Sequence, residues 1–131
     1  MSLILDTDHC VAILRGNLDV TRHISPETTI HITATTVGEL VYGAFKSVRP
    51  EHHLDQVRRL IGGVTVLPYD RDAGFLFGEL KNHLRTQGTP VAEPDLQIAS
   101  IAIVNELPLA THNQRHFHRI PGLILQDWLD G

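Results

Sequence analysis

The chain contains one cysteine, Cys10, and one tryptophan, and aromatic residues make up only 5% of it. A lone cysteine cannot close an internal disulfide, so Cys10 is expected to behave as a small apolar side chain. No apolar run is long enough to span a bilayer, and no basic segment leads into an apolar one at the N-terminus. Neither a membrane helix nor a secretory leader is indicated, and a cytoplasmic protein is expected. An excess of positive charge is also missing: the formal charge is −4, which argues against a broad basic surface for nucleic acid. With so few aromatics there is no evident stacking platform for single-stranded bases.

What the chain has is a core. Hydrophobic residues make up 42% of its 131 positions, sufficient for one domain spanning 1–131. Leu3-Ile4-Leu5 reads as a strand, followed by a helix from about Asp8 to Leu14 that stops near Gly16. Thr29–Thr33 alternates as a strand does, and Val37, Leu40, Val41 and Ala44 recur at helical spacing behind it. Pro50 breaks the pattern, and Leu54, Val57, Leu60 and Ile61 predict a further helix ending at Gly62-Gly63. Val64–Leu67 predicts a third strand, and Ala73, Phe77, Leu80 and Leu84 a helix over Asp70–Arg85 closed by Gly88. After the loop Thr89–Pro94, Asp95 opens a helix over Leu96–Val104; Leu107–Thr111 and Leu123–Leu125 predict the last two strands. Strands separated by helices pair in parallel, so the expected fold is α/β, a three-layer sandwich with a central sheet of four to five strands.

In such a sheet the helices run back antiparallel to the strands. Helix N-termini and strand C-termini therefore share one edge, where open α/β folds keep their sites. Asp6 ends the first strand, Glu39 falls in the first turn of the helix after the second, Asp95 opens the helix before the fourth strand, and Asn113 follows that strand. All should face one cleft. Carboxylates crowded together repel unless some are protonated or a cation is bound. Oxygen ligands without cysteine point to Mg²⁺ or Mn²⁺ rather than zinc. Such an ion suits phosphodiester hydrolysis.

Each residue also has a structural reading. Asp6, or its neighbours Thr7 and Asp8, can cap a helix; Glu39 has capping-box spacing to Thr36; Asp95 complements a helix dipole; Asn113 suits a turn bonded to its own backbone. Glu93 reads as a solvated loop acid. Nine histidines are present, several within His112–Arg119, which reads as a polar, partly basic loop at the cleft mouth rather than a zinc site, since no cysteine or helical frame supports the spacing of His112 and His116.

The motifs Leu5-Asp6-Thr7-Asp8, Thr36-Val37-Gly38-Glu39-Leu40 with Tyr42-Gly43-Ala44, Gly88-Thr89-Pro90-Val91 leading to Pro94-Asp95-Leu96-Gln97-Ile98-Ala99, and Leu109-Ala110-Thr111-His112-Asn113 with His116–Leu123 stand in order along the chain. Together they resemble the PIN-domain family, and within it the VapC-type toxin nucleases, over Ser2 to Trp128. The resemblance implies a Mg²⁺- or Mn²⁺-dependent endoribonuclease, the dimeric toxin of a toxin–antitoxin pair, held inactive by a cognate antitoxin. It places Asp6, Glu39 and Asp95 at the metal and Asn113 beside them as a fourth catalytic position. Many relatives carry an acid at Asn113 or at His116, so the resemblance implies one well-bound ion here. Thr111, Arg115 and Arg119 are candidates for contacts to the RNA substrate. A second reading makes the chain a catalytically weak PIN-like module acting with its partner as a DNA-bound regulator. A small-molecule phosphatase on a similar frame is disfavoured, because no glycine-rich phosphate loop follows the first strand.

Overall fold

In the computed structural model, which describes residues 1–129, Ser2–Leu5 forms β1 at the centre of a five-stranded sheet. It is flanked by β2 (Thr29–Thr33) and β4 (Leu109–Ala110), with β3 (Thr65–Leu67) outside β2 and β5 (Leu125–Gln126) outside β4. Every pairing is parallel, in the order β3-β2-β1-β4-β5. The helices are α1 (Thr7–Leu14), α2 (Ala34–Lys46), α3 (Pro50–Gly62), α4 (Arg71–Thr86), α5 (Glu93–Val104) and the short α6 (Gln114–Phe117).

The two faces of β1 separate two cores. Leu3 and Leu5 pack with Cys10, Ile32, Leu40, Ala44, Val57 and Trp128. Ile4 points the other way and packs with Leu80, Leu84, Leu96, Ile98, Ile101, Leu109 and Phe117. This is the period-two alternation of a strand covered on both sides. Helix α5 is the most enclosed helix, with Leu96, Ile98, Ala99, Ser100, Ile101 and Ala102 all buried. Its one buried hydroxyl, Ser100, donates to the Leu96 carbonyl at 2.7 Å, so the polar atom does not go unsatisfied.

Local chemistry sets the helix ends. The side chains of Asp6, Thr33 and Asp70 accept from the backbone N–H of His9, Thr36 and Ala73 at the starts of α1, α2 and α4. Gly16 and Gly88, with φ of 75° and 70°, take the left-handed conformation just beyond α1 and α4.

Several sequence expectations need adjusting. Because Thr33 is the cap, α2 begins at Ala34 and Glu39 lies in its second turn; Thr36 uses its N–H on Thr33 and forms no capping box with Glu39. Helix α5 begins at Glu93, two residues before Asp95, with Pro94 in its first turn, where a missing N–H costs nothing. Strand β4 is confined to Leu109–Ala110, and β5 lies at Leu125–Gln126 rather than 123–125. The polar segment after β4 contains α6 rather than a plain loop.

The chain builds outward from β1 through β2 and β3, then returns to place β4 on the opposite side of β1. That reversal opens a crevice at the carboxyl ends of β1 and β4, occupied by Asp6 and by the residues after Ala110. Replacing Ile101, fully buried between α5 and the sheet, with alanine is expected to cost about 2–5 kcal/mol of stability. Equilibrium denaturation monitored by circular dichroism measures that loss.

Candidate active site

The crevice holds a small pocket of about 80 Å³ lined by Asp6, Thr7, Asp8, Glu39, Asp95, Asn113 and Phe117. Its acids come from separate elements: Asp6 and Asp8 from the start of α1, Glu39 from α2 and Asp95 from α5. Among the described residues, no lysine or arginine is paired with any of them. Burial pushes the Asp95 carboxyl up from its ordinary value, the negative charges of Glu39, Asp6 and Asp8 push it further, and His116 opposes them.

Asp6 is only 4% exposed. Its Oδ1 caps α1 by accepting the His9 N–H at 2.9 Å and also contacts His9 Nδ1 at 3.0 Å. Glu39 is exposed, and its Oε1 accepts from the Thr7 hydroxyl at 2.6 Å. That bond orders a chain of hydroxyls. Thr7 Oγ1 lies 3.0 Å from Thr36 Oγ1, and Thr33 donates to Thr36 at 3.3 Å. Each hydroxyl has one proton to give, so donation runs from Thr33 to Thr36 to Thr7 and ends on the Glu39 carboxylate.

Asn113 follows β4. Its backbone N–H donates to Thr111 Oγ1 at 3.0 Å, and its side-chain Nδ2 donates to His116 Nδ1 at 2.9 Å, which directs the carboxamide oxygen away from His116. Thr111 is fully buried; its hydroxyl supports the turn that carries Asn113 and offers no surface to a substrate. Arg115 and Arg119 are exposed on α6 and the turn after it, outside the small pocket. Glu93 is the first residue of α5 and pairs with Lys81. His112 contacts Asp127 at 2.8 Å, while His116 faces Asn113, so the two histidines serve different partners. Thr7, Asp8 and Thr36 were not singled out from sequence as part of the site; the Asp-Thr-Asp run after β1 is the signal that marks Thr7 and Asp8.

The donor set is made of oxygens and carries concentrated negative charge, which suits a hard divalent cation. Among the described residues, no three histidine, cysteine or acidic side chains already stand at ion-gripping distance. Carboxylates repel one another until a cation is bound, and an ion such as Mg²⁺ keeps several waters and takes only one or two carboxylates directly.

A model described as "PIN domain" matches residues 3–123. The chain belongs to the PIN-domain family, in its VapC branch. This PIN domain is 35% identical to the tRNA(fMet)-specific endonuclease VapC of Salmonella typhimurium, with 98% of each chain covered. It is 31% identical to ribonuclease VapC2 of Rickettsia felis, again with 98% of each covered. Among solved structures, DNA-bound VapBC from Salmonella typhimurium superposes with a TM-score of 0.90 at 34% identity, covering 98% of both chains. VapBC2 from Rickettsia felis, bound to a promoter DNA fragment, superposes with a TM-score of 0.90 at 30% identity, covering 98% of this chain and 99% of that one. The family that the motifs resemble is thus found, and the α/β sheet, expected with four to five strands, has five.

The raised Asp95 gives a prediction with a definite sign. With its folded-state pKa above its unfolded value, Asp95 binds a proton more readily when folded. Its contribution to stability is therefore greatest below the ordinary carboxylate pKa and is lost as pH rises through the raised value. In chelator-treated PIN domain, Asp95→Asn is expected to flatten this part of the stability profile and to be more stable than wild type at neutral pH, as read by urea denaturation across the acidic-to-neutral range.

Proposed function

We propose that this protein is a Mg²⁺- or Mn²⁺-dependent endoribonuclease that acts in the cytoplasm as the toxin of a toxin–antitoxin pair. The observation that carries the reading is the convergence of Asp6, Asp8, Glu39 and Asp95 on one crevice where, among the described residues, no lysine or arginine is paired with them. Conserving a fold does not require like charges to be gathered in this way, and holding a cation does. The nuclease names of the VapC relatives support the same conclusion, and so does the PIN match over 3–123.

Asp6, Glu39 and Asp95 would hold the ion. When bound, it supplies the positive charge that activates a water and offsets charge developing on a phosphoryl oxygen. The residues of the chain do the rest. His9 fixes one oxygen of Asp6, Thr7 fixes one oxygen of Glu39, and Phe117 closes the pocket floor with apolar surface. Asn113 offers a neutral carboxamide oxygen where an acid would bring a further charge. Arg115 and Arg119 stand beside the crevice as partners for the RNA backbone.

A cognate antitoxin and self-association complete the reading. VapBC names a family of toxin–antitoxin systems. A groove of about 240 Å³, lined by Val11, Leu14, Leu40, Ala44 and Val57, reaches Glu39 at its rim. A partner segment lying in it has the reach to place an arginine against the carboxylates. Tyr42, Phe45 and Val48 remain exposed on and after α2, an apolar surface of the kind that a partner or a second copy covers. Among the described residues, no helix is long and apolar enough to cross a membrane. The DNA in the solved VapBC complexes favours a second reading, a weakly catalytic module acting with its partner as a DNA-bound regulator.

Cleavage by the pure protein decides between them. Wild type is expected to cut RNA in Mg²⁺ and to stop when a chelator is added. Asp6→Asn and Asp95→Asn should each lower kcat/KM by at least about a hundredfold while staying folded, since each removes a charge of several kcal/mol importance. Glu39→Gln should lose activity and keep its melting temperature. Wild-type expression alone should arrest growth and the Asp6→Asn strain should grow. Arrest by both would exclude nuclease toxicity and give the regulatory reading precedence.

Asn113→Asp tests the fourth position. Adding a carboxylate beside the existing acids is expected to tighten Mn²⁺ binding or add a second equivalent in calorimetric titration. Unchanged affinity and stoichiometry would remove Asn113 from the ion site.

A further inference from the structure

His9 is fully buried beside Asp6, and a buried imidazole is stable only when its polar atoms are satisfied. Both of its ring nitrogens have partners. Nδ1 lies 3.0 Å from Asp6 Oδ1, and Nε2 lies 3.1 Å from the backbone nitrogen of Trp128. A backbone N–H can only donate, so Nε2 is the unprotonated acceptor. The ring proton therefore sits on Nδ1 and is given to Asp6. The reverse tautomer would aim an Nε2–H at a competing donor, and the nearest carboxylate oxygen on that side, Asp127 Oδ1, is 3.9 Å away, beyond hydrogen-bond reach.

The donor that selects this tautomer is itself anchored. The Trp128 ring stacks on His23 with centroids 4.9 Å apart and planes 7° from parallel. The Asp127 carboxylate accepts from His112 at 2.8 Å and from the Leu129 N–H at 2.8 Å. Asp6 Oδ1 thus receives both the backbone N–H and the ring N–H of His9, which leaves Oδ2 as the oxygen for the crevice.

We infer that His9 is a positioning residue for Asp6, with its tautomer set by the Trp128 backbone, so that the segment after β5 governs how firmly the crevice grips a divalent cation. The inference rests on Asp6 being a ligand of that cation. A carboxylate with one oxygen pinned presents the other at a fixed angle, and loss of such an outer partner typically lowers metal affinity by about 10–100-fold.

Two amides divide the imidazole between them. His9→Asn places an N–H near the position of Nδ1, within reach of Asp6. His9→Gln extends to the position of Nε2 and Trp128 but leaves Asp6 without its side-chain donor. Calorimetric titration with Mn²⁺ is expected to show about a 10–100-fold loss for His9→Gln at a melting temperature near that of wild type, with most of the affinity restored in His9→Asn. Equal affinities for wild type and His9→Gln overturn the inference, as does an equal loss in both variants, which marks packing alone. Nitrogen NMR of wild type provides a check that needs no variant: Nδ1 should be protonated and Nε2 bare, and the opposite tautomer overturns the inference. Asp6→Asn separates this inference from the reading beneath it. If that variant binds Mn²⁺ as wild type does, Asp6 is no ligand and both fail; if it loses binding while His9→Gln does not, only the role of His9 falls.

Discussion

Repulsion among the carboxylates at the β1/β4 crevice is the constraint around which the rest of the structure is arranged. Left to themselves, these side chains would turn toward solvent, where their charges are screened. Asp6 cannot do so, because β1 is the central strand and both of its faces are covered. Asp95 is only partly free, because α5 is buried along most of its length. The sheet order and the enclosure of α5 therefore fix two of the charges in place, and burial first, then the neighbouring acids, hold the Asp95 carboxyl above its ordinary value.

Hydrogen bonds, rather than ion pairs, hold the remaining freedom in check. Asp6 is tied by its own helix and by His9, and Glu39 ends a chain of threonine hydroxyls that begins at the cap of α2. Chains of aligned donors polarise one another in a medium of low dielectric, so Thr33 and Thr36, both fully buried, strengthen the last bond onto Glu39. Neutral donors restrain a carboxylate without cancelling its charge. A lysine or arginine at the same places would restrain the acids equally well and would also occupy the cation's role. The cap of α1 and the site are likewise one arrangement: Oδ1 of Asp6 closes the helix, and the same bond orients Oδ2.

The fold was largely legible because β1, α2, α4 and α5 carry clean periodicity and strong stops such as Gly16, Pro50 and Gly88. The shortest pieces were not. Leu109–Ala110 and Leu125–Gln126 are too brief to set a period, and their boundaries follow from pairing with β1 and with each other. Glu39 was placed a turn too early because Thr36 and Thr33 both precede apolar helical positions, and only the backbone decides which of them caps. The acids could be assigned to one edge from topology alone. Their supporting shell could not: the His9 and Trp128 partners stand 119 positions apart, and no local pattern announces such a bond. Thr111, a candidate for contact with RNA, is fully buried, and its hydroxyl is spent on the turn that carries Asn113, a burial that no local pattern announces.

The modest net charge of −4 conceals an uneven distribution, and that unevenness bears on how a polyanion enters. Acids occupy the α1, α2 and α5 sides of the crevice, whereas the side formed by α6 carries Arg115, His116, His118 and Arg119, all exposed. An RNA backbone approaching from the acidic sides meets repulsion before it reaches any ion. Approach across α6 meets attraction first, and His116 lowers the pull of Asp95 on a proton from the same direction. Asn113 and His116, bonded to each other, put no negative charge on that side of the crevice, so Arg115 and Arg119 are the charges that a phosphate meets there. An acid at either position would put a negative charge on that side of the crevice and raise the repulsion that a polyanion meets there.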